Sequence, residues 1–87
     1  MGNIKTKVES AVAQSFIDAK TDLEEIQELG KLSGHVLWSG FAGMPDRERQ
    51  RALWKQLRES LSPPELLSLS LILTFTPQEY DAIIGHN

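Results

Sequence analysis

The sequence predicts an all-α domain: a small helical bundle of four to five helices led by a long N-terminal helix. Three observations predict it. Neither Gly nor Pro occurs between Asn3 and Leu29, and there Val8, Val12, Phe16, Ala19, Leu23 and Ile26 stay in phase with a helical period. The run from Asp46 to Leu61 separates apolar from basic positions as an amphipathic helix does. Two Ser/Thr-Pro-x-Glu sequences, at Ser62 and Thr76, carry helix start signals.

The first helix is expected from about Ile4 to Leu29, closed by Gly30. Thr21 and Glu24 form an internal capping box, so two shorter helices are the alternative. The second segment, Lys31 to Gly43, reads KLSGHVLWSGFAG, and no charge falls between Leu32 and Pro45. On a helical wheel Leu32, Val36, Leu37, Trp38 and Phe41 point in almost all directions, which implies a helix buried on every side. Gly34 and Gly40 either admit a neighbouring backbone or break that helix.

Pro45 and Asp46 open the third helix. Leu53, Trp54, Leu57 and Leu61 form its apolar stripe, and Arg47, Arg51, Lys55 and Arg58 form a basic stripe facing away. After the Ser62 start signal comes LLSLSLILTF, where two periods conflict. Leu67, Leu69, Leu71, Leu73 and Phe75 alternate as in a strand, yet the capping box predicts a helix and a lone strand has no partner. A buried helix from Pro63 to about Thr74 is therefore expected, then a short last helix from Pro77 to Ile84 closed by Gly85.

Length and composition bound the rest. Eighty-seven residues, 40% hydrophobic and 24% charged, make one domain spanning 1–87. There is no cysteine, no run long enough for a membrane-spanning helix and no signal-peptide pattern, so a cytoplasmic protein is expected. An unbroken first helix of about 39 Å would overhang a monomer of roughly 30 Å diameter. It would then support a homodimer through Val8, Val12, Phe16, Leu23 and Ile26.

Catalytic equipment is sparse. His35 and His86 are not spaced as metal ligands, the serines lack a nucleophile elbow, and the glycines match no phosphate or dinucleotide loop. The acids Asp22, Glu24, Glu25 and Glu28 read as a solvated face. No enzyme activity, metal or cofactor is expected. The basic residues Arg47, Arg49, Arg51, Lys55 and Arg58 suggest nucleic acid, but a pI near 5.3 and a net charge of −3 oppose it. Local pairing with Glu48 and Glu59 is the simpler reading of that helix. Gly2 with Thr6, Lys5 and Lys7 matches a myristoylation pattern.

The stretch Val36 to Leu66, with ERQRALWKQLRESLSPPEL, resembles the helical pattern of golgin GRIP domains in its charged helix start, spaced leucines and Leu-Ser-Pro-x-Glu cap. These are generic helix-packing features, and no residue role is carried over from them. Trp38, Phe41, Met44, Arg47 and Arg51 compose an aromatic and arginine cluster of the kind found at interface hot spots. The expected function is a small non-catalytic protein-binding regulator of adaptor, anti-activator, immunity or inhibitor type. A nucleic-acid-binding regulator using helix 46–61 and an N-myristoylated peripheral membrane adaptor are the alternatives.

Overall fold

The N-terminal stretch does not run on as one helix. In the computed structural model, which describes residues 4–26, 28 and 30–85, α1 spans Ile4–Ser15 and stops in a turn. That turn is closed by the Ala19 N–H donating to the Phe16 carbonyl at 3.0 Å, with Asp18 at φ 69°. Aspartate is among the few residues that tolerate this left-handed conformation. The chain then forms β1 (Lys20–Ile26) and β2 (Lys31–Leu37), a single 3-10 turn (Ser39–Phe41), α2 (Asp46–Ser60), α3 (Pro63–Leu67), β3 (Leu69–Phe75) and α4 (Pro77–Ile83).

The fold is α/β, not all-α. A three-stranded mixed sheet has the order β1-β2-β3, with β1 antiparallel to β2 and β2 parallel to β3. Three expectations fall together. The segment 20–26 is a strand whose Leu23 and Ile26 matched the helical phase of α1 by coincidence. The segment 31–37, uncharged after Lys31, is the central strand, apolar on one face and half-buried on the other. The alternating leucines of 69–75 are the third strand, and their partner is that central strand. The Ser62 capping box does form, but its helix lasts only from Pro63 to Leu67.

The register fixes which residues face where. Thr21↔Val36 and Leu23↔Gly34 pair across β1 and β2, and Leu32↔Leu69 and Gly34↔Ile72 across β2 and β3. Between the last two pairs β3 advances three residues while β2 advances two, a β-bulge. The bulge turns both Leu69 and Ile72 inward and leaves Leu71 outside, so the five alternating residues do not share a face. Gly34 is required here for space. A Cβ on it would lie 2.0 Å from the Asp22 carbonyl oxygen of β1.

Helices α1 and α2 cover one face of the sheet. Val8 and Val12 of α1, Phe16 in the turn after it, Leu53 and Leu57 of α2, Leu23, Leu32, Val36 and Ile72 of the strands and Phe41 of the 3-10 turn make one core. This placement removes the overhang argument for a dimer, because α1 has 12 residues and is about 18 Å long. Of the residues expected at a dimer interface, Val8, Val12, Phe16 and Leu23 are buried inside the subunit, and Ile26 is half-buried at the end of β1. The Gly2 acylation pattern and His86 lie outside the described residues.

Candidate interaction face

Among the described residues, the side of the sheet opposite α1 and α2 has no helix lying across it other than the short α4 at one margin. Alternation puts Lys20, Asp22, Glu24 and Ile26 of β1, Lys31, Ser33, His35 and Leu37 of β2, and Leu71, Leu73 and Phe75 of β3 on this side. Leu71 is 62% exposed and Leu73 42%. The face is thus graded, with two carboxylates in the middle of β1, Lys20 at its start, and hydrocarbon along β3. His35 lies between the two. Its Nε2 is 4.0 Å from a carboxylate oxygen of Asp22, and its ring packs 4.6 Å from Tyr80 and 6.2 Å from Phe75.

Helix α4 reaches this margin through a sequence-encoded start. Thr76 accepts from the Glu79 N–H at 3.1 Å, and Glu79 accepts from the Thr76 N–H at 2.9 Å. Pro77 occupies the first turn, where its missing N–H costs nothing. None of the helix's residues is buried, and Ile83 at its end is 62% exposed. Two contacts hold it. One is Tyr80 on His35 and Phe75. The other is an ion pair from Glu79 to Arg49 of α2.

Arg49, grouped in the sequence with the basic residues of the third helix, is turned inward by the structure. Its Nη1 and Nη2 donate to the two Glu79 oxygens at 2.6 and 3.0 Å, and its Nε donates to the Met44 carbonyl at 2.9 Å. Its guanidinium carbon lies 5.7 Å from the Phe41 ring centroid. The hydrogen bond from Arg49 and the Thr76 amide hold the Glu79 carboxyl down at about 2, and the hydrogen bond to Glu79 in turn raises Arg49. The signal was present in the sequence. Arg49 lies four residues before Leu53 and eight before Leu57, on the extension of the apolar stripe.

Neighbouring Gln50 covers the outer edge of β3. Its amide donates to the Ile72 carbonyl at 2.9 Å and accepts from the Trp54 indole N–H at 3.1 Å. An exposed strand edge invites pairing with another strand, and side chains from α2 occupy these groups instead.

The expected partner-binding residues are divided by the structure. Phe41 is fully buried and Met44 is half-buried against the core. Trp38 is half-buried, packs edge-on to Phe16 and Phe41 at 4.9 and 5.1 Å, and donates its indole N–H to the Ile17 carbonyl at 3.0 Å. Arg47 and Arg51 are exposed on α2. The five therefore do not form one patch. Leu71, Leu73, Phe75 and Tyr80, which make the uncovered face, were missed because β3 was read as a helix.

Among the described residues no group of three or more His, Cys, Asp or Glu is placed to hold a metal ion. No helix among them is long and apolar enough to cross a membrane.

No family model matches the sequence, and no curated protein matches it. The stretch resembling golgin GRIP domains begins at the end of β2 and runs through the 3-10 turn and α2 into α3, so it is not the all-helical pattern that likeness implies. Solved structures do match over nearly the whole chain. BolA1 from Arabidopsis thaliana is 20% identical with a TM-score of 0.70, covering 91% of this chain and 98% of that one. A bolA protein homologue from Coxiella burnetii is 26% identical with a TM-score of 0.56, covering 93% and 99%. The chain has a BolA-like α/β fold, a three-stranded mixed sheet with four helices.

Proposed function

We propose that this protein is a non-catalytic binding protein that regulates a protein partner by occupying it, and that the uncovered sheet face is where it docks. The observation that carries the reading is the face itself. Leu71, Leu73 and Phe75 stand beside Tyr80 on a surface that α1 and α2 leave open. Apolar residues gathered on one open face mark contact surfaces more often than scattered ones do.

The charge on that face describes the occupant. Lys31 is drawn aside to the Leu67 carbonyl and Lys20 stands at the opposite end of the ladder, so Asp22 and Glu24 are the charged groups in the middle of the sheet. A segment apolar along one side and basic along the other fits this gradient. Strand hydrocarbon would meet its apolar side, and the β1 carboxylates its cations. The BolA-like fold supports a small binding protein of this type.

The test is the paired substitution Leu71→Asp/Leu73→Asp, made at exposed positions so that the fold survives. Circular dichroism and thermal melting should match the parent chain, while a partner co-purified from source cells is lost. A variant that keeps the partner at undiminished yield contradicts the proposal.

A further inference from the structure

On the opposite side of the molecule α2 carries Arg47, Arg51, Lys55 and Arg58, all exposed. They recur at intervals of four, four and three residues, so they form one stripe roughly 16 Å long. Direct ion pairs with Glu48 and Glu59, the simpler reading of the sequence, do not form. Among the described residues none of the four cations makes an ion pair, and the three ion pairs present involve other groups. Nor do the β1 acids reach them, because α1 packs against β1 and against α2 between the two. Like charges one helical turn apart destabilise a helix. The stripe is therefore an uncompensated arrangement within the folded chain.

Trp54 stands at the border between this stripe and the core, three residues after Arg51 and four before Arg58, and is half-buried. Its indole N–H is fixed by Gln50, which is itself fixed to β3. The ring is thus a rigid apolar platform flanked by cations.

We infer that the solvent face of α2 is a second docking surface, fitted to an acidic protein helix that carries carboxylates one turn apart and an apolar residue for Trp54. The stripe is only roughly 16 Å long and the net charge is −3, so a short run of carboxylates on one helix matches it better than a long polyanion, whose charge extends beyond the stripe in both directions. This surface is independent of the sheet face and survives if that reading fails.

The experiment uses the full chain and a fluorescein-labelled helical peptide of about four turns, with glutamates one turn apart and leucines beside them. Fluorescence anisotropy should show binding that weakens from about 50 to about 200 mM salt. Arg47→Glu/Arg51→Glu should weaken it at least about tenfold, Trp54→Ser should weaken it measurably, and Lys20→Glu on β1 should leave it unchanged. Circular dichroism on each variant reports the fold. Absence of peptide binding at the lower salt overturns the inference. So does tighter binding of a random-sequence DNA duplex or of single-stranded RNA than of the peptide at equal salt, and so does an equal loss in Lys20→Glu.

Discussion

Arg49 and Glu79 form a two-point ion pair that ties α2 to α4, with the guanidinium nitrogens 2.6 and 3.0 Å from the two carboxylate oxygens. The pair has a direct consequence in acid. Glu79 titrates at about 2 in the folded chain, below its ordinary 4.5. A carboxyl lowered on folding contributes stability that is present above the unfolded value and is lost as pH falls through the folded one. Unfolding midpoints in urea should therefore drop between about pH 4.5 and pH 2. Glu65, also lowered, by Lys7 first, acts in the same direction. Glu79→Gln should flatten the acid limb without abolishing it, and an unchanged limb would remove the pair from the account.

Removing the other partner tests the same clasp at neutral pH. Arg49→Leu leaves the Met44 carbonyl without this donor and Glu79 without its counter-charge. A loss of about 2 kcal/mol is expected, roughly 10 °C in Tm for a domain of this size. The double variant Arg49→Leu/Glu79→Gln should cost less than the sum of the two, because both remove one interaction.

Gly34→Ala separates the strand from the helix that the sequence suggested. In an exposed helix interior that change would stabilise by up to about 1 kcal/mol. In β2 the new Cβ meets the Asp22 carbonyl oxygen and the Leu23 Cα of β1. Destabilisation of about 1–3 kcal/mol is expected, from a chemical melt. The sign decides.

Trp38→Ala is expected to act on stability first. The ring closes the end of the core against Phe16 and Phe41, and its indole ties β2 to Ile17. Loss of these contacts should cost about 2–3 kcal/mol in thermal unfolding.

Much of the local structure was legible in the residues. Helix α2, both capping boxes, and the last helix closed by Gly85 at φ 66° follow from the Pro, Ser/Thr, Glu and Gly positions that encode them. The buried residues of α1 fall on its apolar stripe. What was not legible is non-local. The partner of β3 is β2, more than thirty residues earlier, and β2 hides behind Trp38 and Phe41 in an apolar segment without visible alternation. Once β2 was read as helix, β3 had no neighbour and its alternation was set aside. The bulge at β3 cannot be seen in a period-two pattern, and it is what exposes Leu71. Arg49 was missed because charge outweighed position.

The most direct test of the docking face is site-specific photo-crosslinking in source cells. A benzophenone side chain is placed at Leu71 or Leu73, and at exposed Ser10 of α1 as the control. The account predicts one discrete protein adduct from Leu71 and Leu73, absent from Ser10 and lost when Asp22→Lys/Glu24→Lys is added. Adducts of equal yield from all three positions, or none from the two leucines, would contradict it.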